Sequence, residues 1–363
     1  MKCLFLHLDN FHCEIMFNEK SKKMHLDDNQ INQFENENCL VGYICFEEND
    51  KFLDFDFVVN EILKVCAITK VNKLIIFPFA HLSSSLLNIE DSIFLLDYLV
   101  KRIKKKIIHS ISGLEIMQIP FGYDKKFSME TKGHSFNVMF REFSGNMYNV
   151  YDRAILSHSE YNEMTNVMLD FISGTVLEVG SGTGLFTKKI TEKGNNLLFC
   201  IEPDTNFYKQ FKVNLPSISI ERFGGENYKS TNSFDCITMC LVLHHIKDNG
   251  KLNFLKNLRE NLKENGTIIV GDVFLPKYIN SVGWKESLNK YHNYRLRKAK
   301  DKEPFVGYIE KQALLDGLNK NGEYKISLEI AIDLFEKVGF SEIRSIPIQS
   351  QEYGGYNIII AKK

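Results

Sequence analysis

The chain has 363 residues, enough for two domains of ordinary size. Apolar residues make up 44% and charged residues 25%, which rules out a fibrous or low-complexity chain and leaves ample side chain for two cores. Lysine and arginine (45) balance aspartate and glutamate (46) to a net charge of −1, so any surface for nucleic acid must be local. No stretch reaches the roughly 18 apolar residues of a membrane span. The opening "MKCLFLHLDNFHCEI" breaks its apolar run too early for a signal peptide. The eight cysteines form no Cys-x-x-Cys pair, and several lie inside apolar runs. They read as reduced, buried thiols, with neither a disulfide framework nor a metal site, and the expected location is cytoplasmic.

Residues 2–8 read as a strand, and 40–47 as a second, rich in β-branched and aromatic residues. The apolar spacing over 57–70 predicts a helix. Residues 73–82 form a short buried strand ending at Pro78. Residues 90–106 are helical, with a basic end suited to the negative pole of a helix. "LEIMQIPF" (114–121) and "KFSMET" (126–131) read as adjacent strands around a turn at Gly122. The segment 143–150, with Ser, Gly and Asn and no period, is the expected linker between domains 1–142 and 151–363. Beyond it strands and helices alternate, which favours a mostly parallel sheet. Residues 276–325 interrupt the alternation, and it resumes with a helix at 327–338 and two closing strands.

The strongest local signal is "VLEVGSGTGLF" (176–186), a glycine turn between an apolar strand and a helix. Gly180, Gly182 and Gly184 permit a sharp bend and let backbone amides approach a ligand. The third glycine comes one residue early for the dinucleotide fingerprint. The next strand ends in "IEPD", where Glu202 can accept hydrogen bonds from both hydroxyls of a ribose. His244 and His245 follow the fourth strand. One of them can serve as a base or orient an acceptor. The competing reading packs one beneath the ligand and leaves the other at the surface. The insertion 276–325 carries Trp284, Tyr291, His292, Tyr294 and Tyr308 among Arg295, Arg297, Lys298, Lys300 and Lys302. It reads as a cap over an acceptor pocket or as a solvated amphipathic helix.

With these motifs in place, residues 151–363 resemble the class I S-adenosylmethionine-dependent methyltransferases. "EVGSGTG" is similar to their first motif, "IEPD" to their second, and "SFDCITMCLVLHHI" to that of the fourth strand. The resemblance implies a Rossmann-like seven-stranded α/β domain with S-adenosyl-L-methionine as cofactor. Glu178 and Gly180 to Gly184 would hold the methionine part, and Glu202 the ribose. Ser181, Pro203 and Cys240, inside the three motifs, complete the expected set. The family's usual adenine-binding acid falls on Gly224 or Gly225, so backbone groups near Gly225, or Glu226, take its place. His244 and His245 are the expected catalytic pair.

Residues 1–142 carry "AHLSS" (80–84), "PFG" (120–122) and "KGH" (132–134), followed by Arg141. They resemble the N-terminal editing domain of archaeal threonyl-tRNA synthetase, an α/β relative of the D-aminoacyl-tRNA deacylases. That resemblance implies a pocket built from His7, Asp9, His81, Lys125 and His134, with His81 by the amino acid and Lys125 at the reacting water or oxyanion. Three positions depart from the family: Val138 stands for an acid, Asp124 for an aromatic residue and Leu8 for a serine. A valine can neither orient water nor take its proton, so the expectation is a binding pocket with weak or no deacylase activity. No synthetase catalytic domain follows. The leading reading is a methyltransferase whose acceptor is tRNA, an aminoacyl-tRNA end or an amino-acid-derived small molecule. The alternatives are a hydrolytic proofreading factor and a small-metabolite methyltransferase with a structural N-terminal domain. A homodimer through that domain is expected, and no membrane partner.

Overall fold

The structure is a computed structural model and describes residues 1–16, 33–110, 113–194 and 196–363. It divides into two compact units, Met1–Val150 and Tyr151–Lys363. No helix among the described residues is long and apolar enough to cross a membrane.

The first unit runs β1 (Lys2–Met16), β2 (Gln33–Cys45), α1 (Phe55–Thr69), β3 (Lys73–Pro78), α2 (Ile89–Ser110), β4 (Glu115–Gln118), β5 (Asp124–Thr131) and β6 (Val138–Glu142). Asp54 opens α1 by accepting from the amides of Asp56 and Phe57, the usual service of an aspartate before a helix. The sheet order is β4-β3-β2-β1-β5, with β6 also on β1; β2, β3 and β4 run parallel and the other pairs antiparallel. Strands β4 and β5 therefore sit at opposite edges, and the adjacent pair expected around Gly122 is not formed. The connection instead crosses the sheet, because Ile119 is fully buried against the face that holds Phe11, Tyr43 and Phe77. A local pattern of two short runs and a glycine turn could not show that. Strand β1 also runs on to Met16, with a register shift between Leu8 and Asn10 that leaves Asp9 unpaired in the ladder with β5.

A helix, α3 (Met147–Leu156), begins inside the segment expected as linker and ends in the second unit. There follow α4 (Ser159–Leu169), β7 (Thr175–Val179), α5 (Leu185–Lys193), β8 (Leu197–Ile201), α6 (Thr205–Asn214), β9 (Ile220–Glu221), β10 (Phe234–Cys240) and α7 (Lys251–Asn261). The chain closes with β11 (Leu262–Phe274), α8 (Ser281–Ala299), α9 (Pro304–Leu318), α10 (Leu328–Val338), β12 (Ser341–Pro347) and β13 (Gly355–Lys362). The seven strands order as β12-β13-β11-β10-β7-β8-β9, parallel except at β13, which is antiparallel to both neighbours.

Side chains alternate across this sheet, and helices cover both faces. Leu177, Ile237, Ile268 and Ile359 meet Phe254, Leu258 and Phe335 of α7 and α10. Val176, Cys236, Ile269 and Ile358 meet Met164, Met168, Ile190 and Leu288 of α4, α5 and α8. Helix α4 packs so closely on β11 that a Cβ at Gly271 would stand 2.3 Å from the Met168 sulfur. The strand order turns back between β7 and β10, and the C-terminal ends of those two strands open the crevice where such sheets bind ligands.

Candidate functional site

A cavity of about 420 Å³ opens at those strand ends. The chain leaves β7 at Gly180 (φ 69°), passes Gly182 (φ 56°) and enters α5 after Gly184 (φ 89°), all left-handed values that favour glycine. Their surroundings differ. A Cβ at Gly180 would lie 2.6 Å from Val242 Cγ2 and one at Gly184 2.7 Å from Leu215 Cδ1, whereas one at Gly182 would meet nothing within 4 Å. Gly182 thus presents bare backbone to the cavity; Gly184 does not line it.

The amides of the bend are used inside the protein. Gly180 N and Ser181 N both donate to Ile201 O, at 2.9 and 3.1 Å, and Gly184 N to Ser181 O at 2.9 Å. Gly182 N donates to Glu202 Oε2 at 2.8 Å, and Glu202 Oε1 accepts from Asp204 N at 2.8 Å. Each of these four amides thus has a partner within the protein. The glycines serve by shape, and the bend anchors Glu202 at the cavity wall. Burial raises the Glu202 carboxyl above its usual range, against the pull of the two amides. Glu178 lies deeper, accepts from the Thr187 hydroxyl at 2.6 Å, and is pushed by burial up to about 7.

Four carboxyl side chains line the cavity (Glu178, Glu202, Asp204 and Glu226), and no lysine or arginine does among the described residues. Tyr151 and Phe207 meet edge to face across 5.0 Å to form an aromatic wall, with Tyr161 beyond. Ser181, Pro203, Gly225 and Cys240 also line it. A Cβ on Gly225 would press Phe254 and Val179 at 2.8 Å, so that residue too must be small. The Cys240 thiol is held protonated, its pKa raised by burial.

The two histidines separate. His245 faces the cavity; His244 is 8% exposed and does not line it. His244 Nδ1 is 2.5 Å from Asp272 Oδ1, and the His244 amide donates to Asp272 Oδ2 at 3.1 Å. Burial works to raise the Asp272 carboxyl, but the His244 ring and backbone donors outweigh it and hold it low. His245 Nδ1 is 2.7 Å from Gly322 O. A carbonyl only accepts, so this nitrogen carries the proton and Nε2 keeps a lone pair. The His245 side chain is 49% exposed, and the surrounding protein and the neighbouring His244 ring lower its pKa against the pull of Glu323 and Gly322 O.

The segment 319–326 delivers Glu323 to these rings. Tyr324 N donates to His244 O at 2.6 Å, and the buried ammonium of Lys251 bonds both Tyr324 O at 2.8 Å and Ile246 O. His244, His245 and Glu323 bring one ligand-type atom each within 4.8 Å of one another. The cation in this cluster is the protein's own Lys325, bonded to Glu323. Asp272, Glu323 and Lys251 were not singled out from the sequence. Only Asp272 left a signal there, as a lone acid inside the apolar run "TIIVGDV".

The insertion is two packed helices. Trp284, Tyr291, His292 and Arg295 are buried, and neither they nor the other aromatic and basic residues singled out there line the cavity. Arg295 is clamped by Glu310 at 3.0 Å, and Lys298 bonds Glu160 at 2.7 Å, so these charges hold the helices in place.

In the first unit the five expected pocket residues fall into two groups. His81 and Lys125 line a cavity of about 520 Å³ walled by Phe46, Phe77, Phe79 and Phe127, which Asp124 also borders. Lys125 Nζ donates to Tyr123 O at 2.8 Å, and burial lowers its pKa. His7, Asp9 and His134 lie elsewhere. His134 Nδ1 accepts from Phe136 N at 3.1 Å, so its Nε2 donates to His7 Nδ1 at 2.7 Å. His7 Nε2 is buried. Asp9 pairs with Lys132 at 2.5 Å. Val138, on β6, pairs with Leu6 of β1 and is 52% exposed.

Residues 151–302 match the family model of a methyltransferase domain, and residues 1–143 that of the Archaea-specific editing domain of threonyl-tRNA synthetase. The threonine–tRNA ligase editing subunit of Saccharolobus solfataricus is 29% identical over 142 residues, which are 39% of this chain and 34% of that protein. The threonine–tRNA ligase of Methanocaldococcus jannaschii is 30% identical over 145 residues, 39% of this chain and 22% of the ligase. The chain thus spans between about a fifth and a third of these curated relatives. An S-adenosylmethionine-dependent methyltransferase of known structure from Thermotoga maritima covers 59% of this chain and 95% of its own, at 20% identity and a TM-score of 0.41. By its family match the second unit is a methyltransferase domain. The particular protein joins that domain to an editing domain of the archaeal threonyl-tRNA synthetase kind.

Proposed function

We propose that the second unit binds S-adenosylmethionine between Glu178, Gly182 and Glu202 and transfers its methyl group to an acceptor held beside His245. The observation that carries this is the charge of the cavity: four carboxyl groups and, among the described residues, no lining lysine or arginine suit a ligand that bears a sulfonium and an ammonium. When bound, the cofactor supplies an activated methyl with a good leaving group. The chain contributes the rest. Glu202 is aimed at a ribose by two amides, and the Glu178 carboxyl faces the ammonium. Tyr151, Phe207 and Tyr161 exclude water from one side, and in-line placement supplies much of the acceleration. His245 stands at the end of β10, where the acceptor approaches.

The first unit is proposed as a binding module for an aminoacyl group, seated in the aromatic cavity with His81 and Lys125. Its ester hydrolysis is proposed to be weak, since Val138 offers no carboxylate. Two measurements test the reading. Calorimetry of the full chain should detect S-adenosylmethionine and its demethylated product. Purified chain should release serine from seryl-tRNA(Thr) no faster than buffer does. Failure of the first removes the methyltransferase assignment, and rapid hydrolysis in the second makes the first unit an enzyme in its own right.

A further inference from the structure

The basic and aromatic residues of the insertion stand outside the cavity, and some of them form a surface of their own on the second unit. We infer that the outer face of α8 and the turn between β12 and β13 dock single-stranded RNA, with unpaired bases on Tyr294 and Tyr353 and phosphates on Lys290 and Arg297. This goes beyond the methyl-transfer reading and does not rest on the cofactor assignment. Only the choice of RNA over DNA rests on the reading of the first unit, because an aminoacyl group travels on the unpaired end of an RNA.

The surface begins with helical spacing. Lys290, Tyr294 and Arg297 stand at i, i+4 and i+7 on α8, so they share one stripe. The turn brings Tyr353 against that stripe. The Tyr294 and Tyr353 rings stack with centroids 4.6 Å apart and planes within 7° of parallel. Both rings are half-buried, and neither packs into the cores on the two faces of the sheet. Cations cap the pair. Lys298 Nζ lies 4.9 Å from the Tyr294 centroid, and Lys290 Nζ and Arg297 Cζ lie 5.2 and 5.8 Å from that of Tyr353. Lys298 is engaged by Glu160, whereas Lys290 and Arg297 are exposed and form no ion pair among the described residues.

The turn holds Tyr353 still. Gln351 Nε2 lies 3.1, 3.3 and 3.1 Å from the carbonyl oxygens of Ile348, Gln349 and Tyr356. Gly354 N donates to Gln351 O at 3.0 Å. Gly354 itself takes φ 74°, and a Cβ there would stand 2.5 Å from Phe274 O. A ring already fixed in place loses little freedom when a ligand lands on it.

Chemistry selects the partner. Flat ring faces beside positive charge match a chain that alternates flat bases with phosphates. An acidic peptide would use the cations and leave the rings idle, and a duplex keeps its base faces stacked inside. Contact between an exposed cation and a ring is weak, while stacking of a base on the same ring is stronger. A base can therefore take the outer face of Tyr353, and the displaced Lys290 or Arg297 moves to the next phosphate. The acid Glu352 borders the turn and accepts from the Tyr353 hydroxyl, so the phosphates are expected on the α8 side of the pair.

The test uses the full chain and a fluorescent, unstructured RNA of mixed sequence, about 12 nucleotides long, read by anisotropy. Parent protein should bind it and release it as salt rises. Lys290→Ala with Arg297→Ala should lower the slope of log affinity against log salt by about 1.4, which is two phosphates at about 0.7 each. Tyr294→Leu with Tyr353→Leu keeps apolar bulk and every cation, and should weaken binding by about ten- to a hundredfold at an unchanged unfolding midpoint. Tyr353→Phe, which keeps the ring, should bind as the parent does and separates stacking from a defect of folding. Lys101→Ala with Lys104→Ala, on the basic end of α2, should also bind as the parent does. The inference is overturned by a parent that does not bind, by a leucine pair with parental affinity, or by loss in the α2 variant, which would place the surface on the first unit. Equal affinity for the matched duplex or for an oligoglutamate overturns it too, since either partner ignores the rings. Tighter binding of the same sequence as DNA overturns the choice of RNA and leaves the reading of the first unit without support from this surface.

Discussion

Gly180 and Gly182 share a left-handed backbone but face different neighbours, and their substitutions should separate stability from binding. Gly180→Ala drives a methyl group into Val242, where the contact would be 2.6 Å. With the backbone penalty added, a loss of about 2–4 kcal/mol is expected in denaturant unfolding. The Cβ of Gly182→Leu meets nothing within 4 Å, so the main expected cost is the backbone term, about 1–2 kcal/mol. Its side chain then fills the cavity, so calorimetry should find cofactor binding lost in a folded protein. Glu178 offers a second test. Its folded pKa of about 7 lies above the ordinary 4.5, so the ionised form opposes folding. That opposition is absent below pH 4.5 and complete above pH 7. Glu178→Gln should therefore match the parent's stability in acid and exceed it at pH 8 by about 2–3 kcal/mol. Parent affinity for the cationic cofactor should fall as pH drops through about 7, while the variant binds weakly and without that dependence. A pH-independent parent would place the ammonium elsewhere.

Helix α7 starts with a lysine, which is unfavourable beside the positive end of a helix, and this lysine is also buried to 1% exposure. Burial lowers its pKa to about 8 despite the nearby Asp248. The compensation is the hold on Ile246 O and Tyr324 O, which keeps the segment 319–326 against the histidine turn. Lys251→Met removes the cation and leaves two buried carbonyls without that donor. A loss of about 1–3 kcal/mol is expected for them. The informative readout is local: amide exchange should quicken at residues 322–326 while the strands of the sheet stay protected. Uniform exchange across the unit would mean that Lys251 supports the fold in general rather than this segment.

Two compact units, each with its own sheet and core, should unfold as two transitions. Chains 1–150 and 151–363, made separately, should each give one cooperative transition, and cofactor should raise the midpoint of the second alone. A first fragment that collapses without a cooperative transition would show that the units depend on one another. The near-neutral net charge further predicts that binding of an aminoacyl-tRNA, if measured, resides in a local patch and weakens steeply with salt.

Much of this was legible in the residues alone. "EVGSGTG" after an apolar run located the bend, "IEPD" located Glu202, and strand–helix alternation gave the α/β class, because apolar periodicity reports directly on which residues must be buried. It reports burial against something, though not against what. The edge taken by β5, the internal use of the bend amides, and the partners of His244 and His245 were decided only by folding. Asp272 lies 28 residues from His244 and Gly322 lies 77 from His245. No local pattern joins such positions, since their meeting depends on where each crossover returns the chain. Sequence therefore determined where the glycine bend and the acid on the next strand lie, while the tertiary return of 319–326 determined which nitrogen of His245 carries its hydrogen.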